Sequence, residues 1–251
     1  MIPTARIGPF KVADVGYREA VRAAATLALN PPRAMRFYAL HVGGLNAKGD
    51  ATFVAEMNDA ELVCADGASV VALGRLAGAT RIERTPTTDA GWEVLAETAT
   101  LLGRPVRVAL VGGRAETVEA AAATLAGVAT TEVVLVTHGY HQRWEEVLER
   151  LDAARPDVLL LGLGAPKEML WVREHHGRLP ACLVVTCGGW FGFLAGEERR
   201  APALLRRSGL EWVARAAQAP RRLLPRYARG LASCIAIAGG IGWRRLTGST
   251  E

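Results

Sequence analysis

Two sets of residues in this 251-residue chain are of types that bind phosphate. The first is a series of glycine-bearing segments: Gly112-Gly113-Arg114, Thr137-His138-Gly139-Tyr140, Gly162-Leu163-Gly164-Ala165-Pro166-Lys167 and Gly188-Gly189-Trp190. Glycine lets backbone amides approach an anion closely, and a helix amino terminus behind the turn adds a favourable dipole. The second is the C-terminal quarter, where Glu197 to Arg245 hold eleven arginines, three glutamates and no lysine. That segment carries +8 against +5 for the whole protein, which leaves the remainder at about −3. An apolar run, Leu231 to Trp243, lies inside it. Guanidinium forks beside apolar side chains suit a membrane surface or a lipid-linked diphosphate. A merely solvated arginine face is the plainer alternative.

The elements that must position these residues follow from the apolar pattern. Val106 to Val111, Val133 to Val136, Val158 to Gly162 and Leu183 to Cys187 are short, mostly apolar runs, the first three each followed by a turn and a helical pattern (Glu116 to Leu125, Gln142 to Ala154, Lys167 to His176). Such runs indicate parallel strands covered on both faces, because a sheet with one wet face would alternate. Upstream, Ala5 to Val15 reads as a hairpin or strand, and Tyr17 to Ala28 as a helix closed by Pro31-Pro32. Phe37 to Val42 reads as a strand running into a Gly43-Gly44 loop, Ala51 to Asn58 as helix, Glu61 to Ala65 as strand, and Asp66-Gly67 as the opening of a helix through Leu76. The expected fold is α/β: a Rossmann-like parallel sheet core with helices on both faces over residues 1–195, and a basic helical C-terminal appendage over 196–251. Ligands of such sheets sit beyond the carboxyl ends of the strands, where the glycine segments fall.

Several classes lose support. No segment matches GxxxxGK[ST] or GxGxxG, which disfavours ordinary ATPases and dinucleotide dehydrogenases. The four cysteines, Cys64, Cys182, Cys187 and Cys234, form no CxxC pair, so a reduced thiol set is expected rather than a metal site. No aromatic residues interleave the arginines as a single-strand nucleic-acid platform requires, and nucleic acid is not an expected partner. No signal peptide is expected, and no run reaches the roughly 20 apolar residues that span a bilayer. Leu231 to Trp243 could lie in a headgroup layer or pack as a core helix.

The ordered series Asp66-Gly67, Ile82-Glu83-Arg84 with Thr88-Asp89, Val111-Gly112-Gly113, His138-Gly139-Tyr140, Gly162 to Lys167, Phe191 with Phe193 to Gly196, Arg200-Ala201-Pro202, Leu210-Glu211-Trp212 and Pro220-Arg221-Arg222 resembles the WecG/TagA/CpsF glycosyltransferases from about Phe53 to Tyr227. That resemblance implies an inverting enzyme that moves a hexose or N-acetylhexosamine, typically N-acetylmannosamine, from a UDP-sugar to a polyprenyl-diphosphate-linked saccharide. The products would be teichoic acid or other cell-surface polysaccharide. It further implies work at the inner face of the cell membrane, with peripheral association, and the capacity to self-associate. Metal independence is also implied, consistent with the lack of an Asp-x-Asp triplet, and no cofactor is expected.

By the same resemblance Asp66 is the base that deprotonates the acceptor hydroxyl, with a helix cap as its alternative role. Arg84 would face the diphosphate, and Asp89 would sit near the sugar or cap a helix starting near Ala90. Gly67, Gly112, Gly113, Gly162, Gly164 and Pro166 would line the nucleotide cleft. Lys167 could approach a phosphate, Tyr140 could bound the uracil, and Arg200, Arg207, Arg215, Arg221 and Arg222 would meet the acceptor diphosphate or the membrane. Three departures stand out. The usual Thr-x-Asn has no clear match within Tyr38 to Asn46, where His41 and Asn46 are the candidate replacements. Pro-Lys-Gln-Glu is Pro166-Lys167-Glu168-Met169, and Phe-Asp is Phe191-Gly192. Glu168 could accept from sugar hydroxyls but, when ionised, cannot donate as glutamine does. These changes also motivate an alternative, a catalytically weakened nucleotide-sugar-binding or scaffolding protein.

Overall fold

The computed structural model describes residues 2–198 and 220–247. An antiparallel hairpin, β1 (Thr4–Ile7) and β2 (Phe10–Ala13), precedes α1 (Tyr17–Leu27). The strands of the main sheet are β3 (Met35–Leu40), β4 (Leu62–Ala65), β5 (Val106–Gly112), β6 (Thr131–Thr137), β7 (Val158–Gly162) and β8 (Leu183–Thr186). They pair in the order β4-β3-β8-β7-β5-β6, every pair parallel. The helices between them are α2 (Val42–Leu45), α3 (Ala51–Asp59), α4 (Ala68–Leu76), α5 (Thr87–Leu102), α6 (Ala115–Ala126), α7 (Glu145–Ala154), α8 (Lys167–His175) and α9 (Trp190–Leu194), and α10 (Pro220–Thr247) closes the described chain. This is the Rossmann-like α/β architecture expected from the apolar strands.

Alternation along each strand divides the interior in two. Leu159 and Leu161 of β7 face one core with Tyr38, Leu40, Val63, Val111 and Val184, covered by the hairpin, α3, α4, α7, α8 and part of α10. Val158 and Leu160 face the other with Phe37, Leu62, Val108, Leu110 and Val185, covered by α1, α5, α6 and α9. β7 is buried at all five positions, as a central parallel strand must be. At the amino end of β3, Arg36 bonds Glu56, Glu61 and the Asp59 carbonyl, while the Tyr38 hydroxyl donates to Glu56 over 2.7 Å. Burial next to Glu56 holds the Tyr38 phenol well above its ordinary range. This network anchors β3 at the end opposite the glycine loops.

Several boundaries differ from the sequence reading. Strand β3 starts and ends two residues earlier than expected, and the Gly43-Gly44 segment is the short helix α2, capped by the His41 ring, which accepts from the Gly43 amide over 2.9 Å. Helix α7 begins at Glu145, since His141 to Trp144 build an aromatic brace and not a helical turn. The apolar run Leu231 to Trp243 belongs to a 28-residue helix with Pro225 inside its first turns. It is amphipathic: Gly230, Ser233, Ile237 and Ile241 are buried against the body, whereas Leu231, Ile235 and Trp243 are 64, 65 and 69% exposed. Gly230 is required by close approach, because a Cβ there would come within 2.0 Å of the Val42 side chain of α2.

Candidate active site

The carboxyl ends of β3 and β4 deliver the first group of polar residues. The Asp66 amide donates to the Leu40 carbonyl over 2.8 Å, which fixes the residue after β4 beside the end of β3. Gly67 follows with φ +110°, a conformation that favours glycine and turns the chain abruptly into α4. The segment holding Arg84 returns to the same place: Ala65 and Arg84 form a parallel bridge, and the Thr85 amide donates to the Ala65 carbonyl over 2.7 Å. Asp66 and Arg84 therefore issue from adjoining backbone positions at one sheet edge, although 18 positions separate them in sequence. Asp89, in the first turn of α5, lies 4.0 Å from the Arg84 guanidinium, and both side chains are partly exposed. An acid, a cation and a second acid thus face one region.

The C-terminal helix adds a cation that sequence reasoning did not single out. Arg226 Nη2 lies 3.2 Å from His41 Nδ1, the same nitrogen that accepts from the Gly43 amide, so the neutral ring carries its proton on Nε2. A Cβ on Gly43 would come within 2.2 Å of the Arg226 guanidinium. Asn46 is taken up by the same helix: its amide nitrogen donates to the Arg226 carbonyl (3.1 Å), and Ser233 donates to its oxygen (3.3 Å). His41 and Asn46, the candidate substrate-binding replacements for Thr-x-Asn, both contact α10 at or near Arg226.

The glycine segments form the rest of the floor, bonded to one another. The Gly113 amide donates to the Gly162 carbonyl (3.0 Å), and the Gly139 amide to the Gly113 carbonyl (2.9 Å). Gly112 and Gly162 pair directly across β5 and β7. The Glu168 carboxylate accepts from the Gly164 amide (2.9 Å) and the Gly188 amide (3.2 Å), joining the loops after β7 and β8. Four amides that could have cradled a phosphate are thus engaged within the protein. An anion at this edge would therefore have to draw its opposing charge chiefly from side chains. Glu168 itself is only 2% exposed, and burial pushes its carboxyl up to about 7 against the three backbone bonds that favour ionisation.

The remaining candidates distribute as follows. Pro166, after a cis peptide bond, precedes α8, where Lys167 is exposed at the first position. Tyr140 is 74% exposed at the end of β6, where its amide donates to His138 Nδ1. His138 and His141 stack with ring centroids 4.2 Å apart, and burial followed by the charge of His138 holds the His141 ring below its ordinary range. Arg221 is exposed on the first turn of α10 and Arg222 follows it there. Arg200, Arg207 and Arg215 lie outside the described residues. A cavity of about 420 Å³ sits on the edge strand β6 beside α7, lined by Val134, Leu135 and Arg150 among others. It is remote from Asp66 and Arg84 and holds no paired acid and base. Among the described residues no cluster of side chains could hold a metal ion.

The chain belongs to the glycosyl transferase WecG/TagA/CpsF family, whose sequence profile matches residues 5–247. Among curated proteins it is similar to the N-acetylglucosaminyldiphosphoundecaprenol N-acetyl-beta-D-mannosaminyltransferases of Staphylococcus aureus strains NCTC 8325 / PS 47, COL and N315. Each is 29% identical over 162 residues, which are 64% of this chain and 62% of the relative. The matched region thus spans somewhat under two thirds of those proteins.

Proposed function

We propose that the protein is an inverting glycosyltransferase that moves an N-acetylhexosamine, N-acetylmannosamine first among the candidates, from a UDP-sugar to a polyprenyl-diphosphate-linked saccharide. The observation that supports this reading is the bridge that sets Asp66 beside Arg84 and its partner Asp89 at the end of β4, with Arg226 held against His41 just beyond the adjacent β3. In one displacement Asp66 takes the proton of the acceptor hydroxyl as its oxygen attacks the anomeric carbon. The bond from that carbon to the diphosphate breaks, and UDP leaves with the electron pair. Arg84 and Arg226 offset the charge that grows on the departing phosphate, a task for which a preorganised guanidinium is suited. Asp89 holds Arg84 in place, and exposed Tyr140 is available to the nucleoside.

The test is transfer from a panel of UDP-N-acetylhexosamines to a short-chain lipid-diphosphate-linked N-acetylglucosamine by the purified protein. Anomerically inverted disaccharide is expected. Binding of the donor without turnover on any acceptor would instead identify a nucleotide-sugar-binding scaffold.

The same reading assigns residues 1–195, joined by Arg226, to catalysis and the rest of 196–251 to contact with the membrane surface. Leu224, Leu231, Ile235 and Trp243 fall at spacings of seven, four and eight on the outward face of α10, with Arg221, Arg229 and Arg245 exposed beside them. From Leu224 to Trp243 that stripe is about 28 Å long, enough to lie along a bilayer. Among the described residues no helix is long and apolar enough to cross one. Changing Leu231, Ile235 and Trp243 together to serine removes apolar transfer energy on the order of 3 kcal/mol. Sedimentation with anionic vesicles is expected to weaken more than tenfold; undiminished sedimentation would reject the surface role of this face.

A further inference from the structure

Among the described residues Glu168 is the fully buried carboxylate at the carboxyl edge of the sheet, and it lies between two loops from neighbouring strands. Its Oε2 accepts from Gly164, in the loop after β7, and from Gly188, in the loop after β8, while its own amide donates back to the Gly164 carbonyl over 3.2 Å. We propose that Glu168 is a positioning residue whose ionised carboxylate holds the β7 and β8 loops at the spacing a nucleotide sugar requires, and that the cleft loosens when this carboxylate takes up a proton.

An ionised carboxylate offers acceptor sites only, which matches amide donors converging on it. The acid form places an O–H on one oxygen and withdraws that acceptor, leaving buried N–H groups with a poorer partner, and at 2% exposure water has little access to substitute. The groups facing it are few and of known charge. Arg226 approaches from α10 and favours the ionised form. Cys187, at the end of β8, is buried and its thiol is pushed well above its ordinary range, partly by Glu168, so it stays neutral. Lys167, adjacent on α8, is exposed to solvent. With burial placing the transition at about 7, the loop junction changes state within the physiological range.

The inference rests on the proposed use of a nucleotide sugar, and the test separates the two. Wild type and Glu168→Gln are compared at pH 6 and pH 8 by hydrogen exchange of the Gly164 and Gly188 amides and by calorimetric binding of a UDP-N-acetylhexosamine, whose diphosphate diester does not titrate there. Wild type is expected to bind roughly tenfold more weakly at pH 6 than at pH 8, following the ionised fraction, and to lose protection at both amides relative to the variant. Glu168→Gln should show less than a twofold change in affinity. Parallel behaviour of the two proteins in either measurement overturns the proposal. If neither protein binds the nucleotide sugar at either pH while the amide step persists, the reading of the site falls and the loop junction stands.

Discussion

Asp66→Asn is expected to lower the turnover of sugar transfer by about 10²–10⁴-fold, the range a positioned general base contributes, while donor affinity stays within about twofold of wild type. Asparagine preserves the shape of the side chain, and the amide of residue 66 still reaches the Leu40 carbonyl, so the turn into α4 at Gly67 survives. What is lost is the carboxylate to which the proposed mechanism gives the acceptor proton. Measurement of kcat and donor Kd on the same preparations separates the two effects. Retained turnover would remove Asp66 as the base and return it to the role of a turn residue before α4.

Arg84→Ala is expected to reduce kcat by about 10²–10³-fold, comparable with removing one preorganised donor from a developing anion. Asp89 would lose the guanidinium 4.0 Å away, so this corner of the site would lose one positive charge while keeping its acid. Arg84→Lys should recover part of the loss, because a point charge replaces the fork without its bidentate geometry. Equal activity of all three proteins would show that Arg84 serves only to bridge the backbone at Ala65. The two substitutions are close enough to couple, so the double variant should lose less than the sum of the single effects in free energy.

Much of the scaffold was legible because its strands are nearly all apolar and end in glycine. Four strand-end loops could be placed from that signal alone, and all four lie at the carboxyl edge of the sheet. Helices α2 and α9 were not, since segments of four and five residues leave no helical period to detect. The pairing of Asp66 with Arg84 was reachable through the ordered motifs but not through composition, because a single bridge between Ala65 and Arg84 creates it. Arg226 was missed for a physical reason: among eleven arginines in one basic segment, only docking of α10 onto Val42 and Asn46 distinguishes it. Glu168 read as a first-turn residue able to meet a sugar, whereas the fold turns it inward to the Gly188 loop.

The bonds from Gly139 to Gly113, from Gly113 to Gly162, and through Glu168 to Gly188 string four separate turns into one continuous plank along the carboxyl edge of the sheet. A disturbance at one end of the row is therefore carried to the other through the protein's own hydrogen bonds. Injuries at distant points of the plank should overlap in their consequences rather than accumulate, so tolerance to change in this enzyme is a property of the row and not of its separate turns.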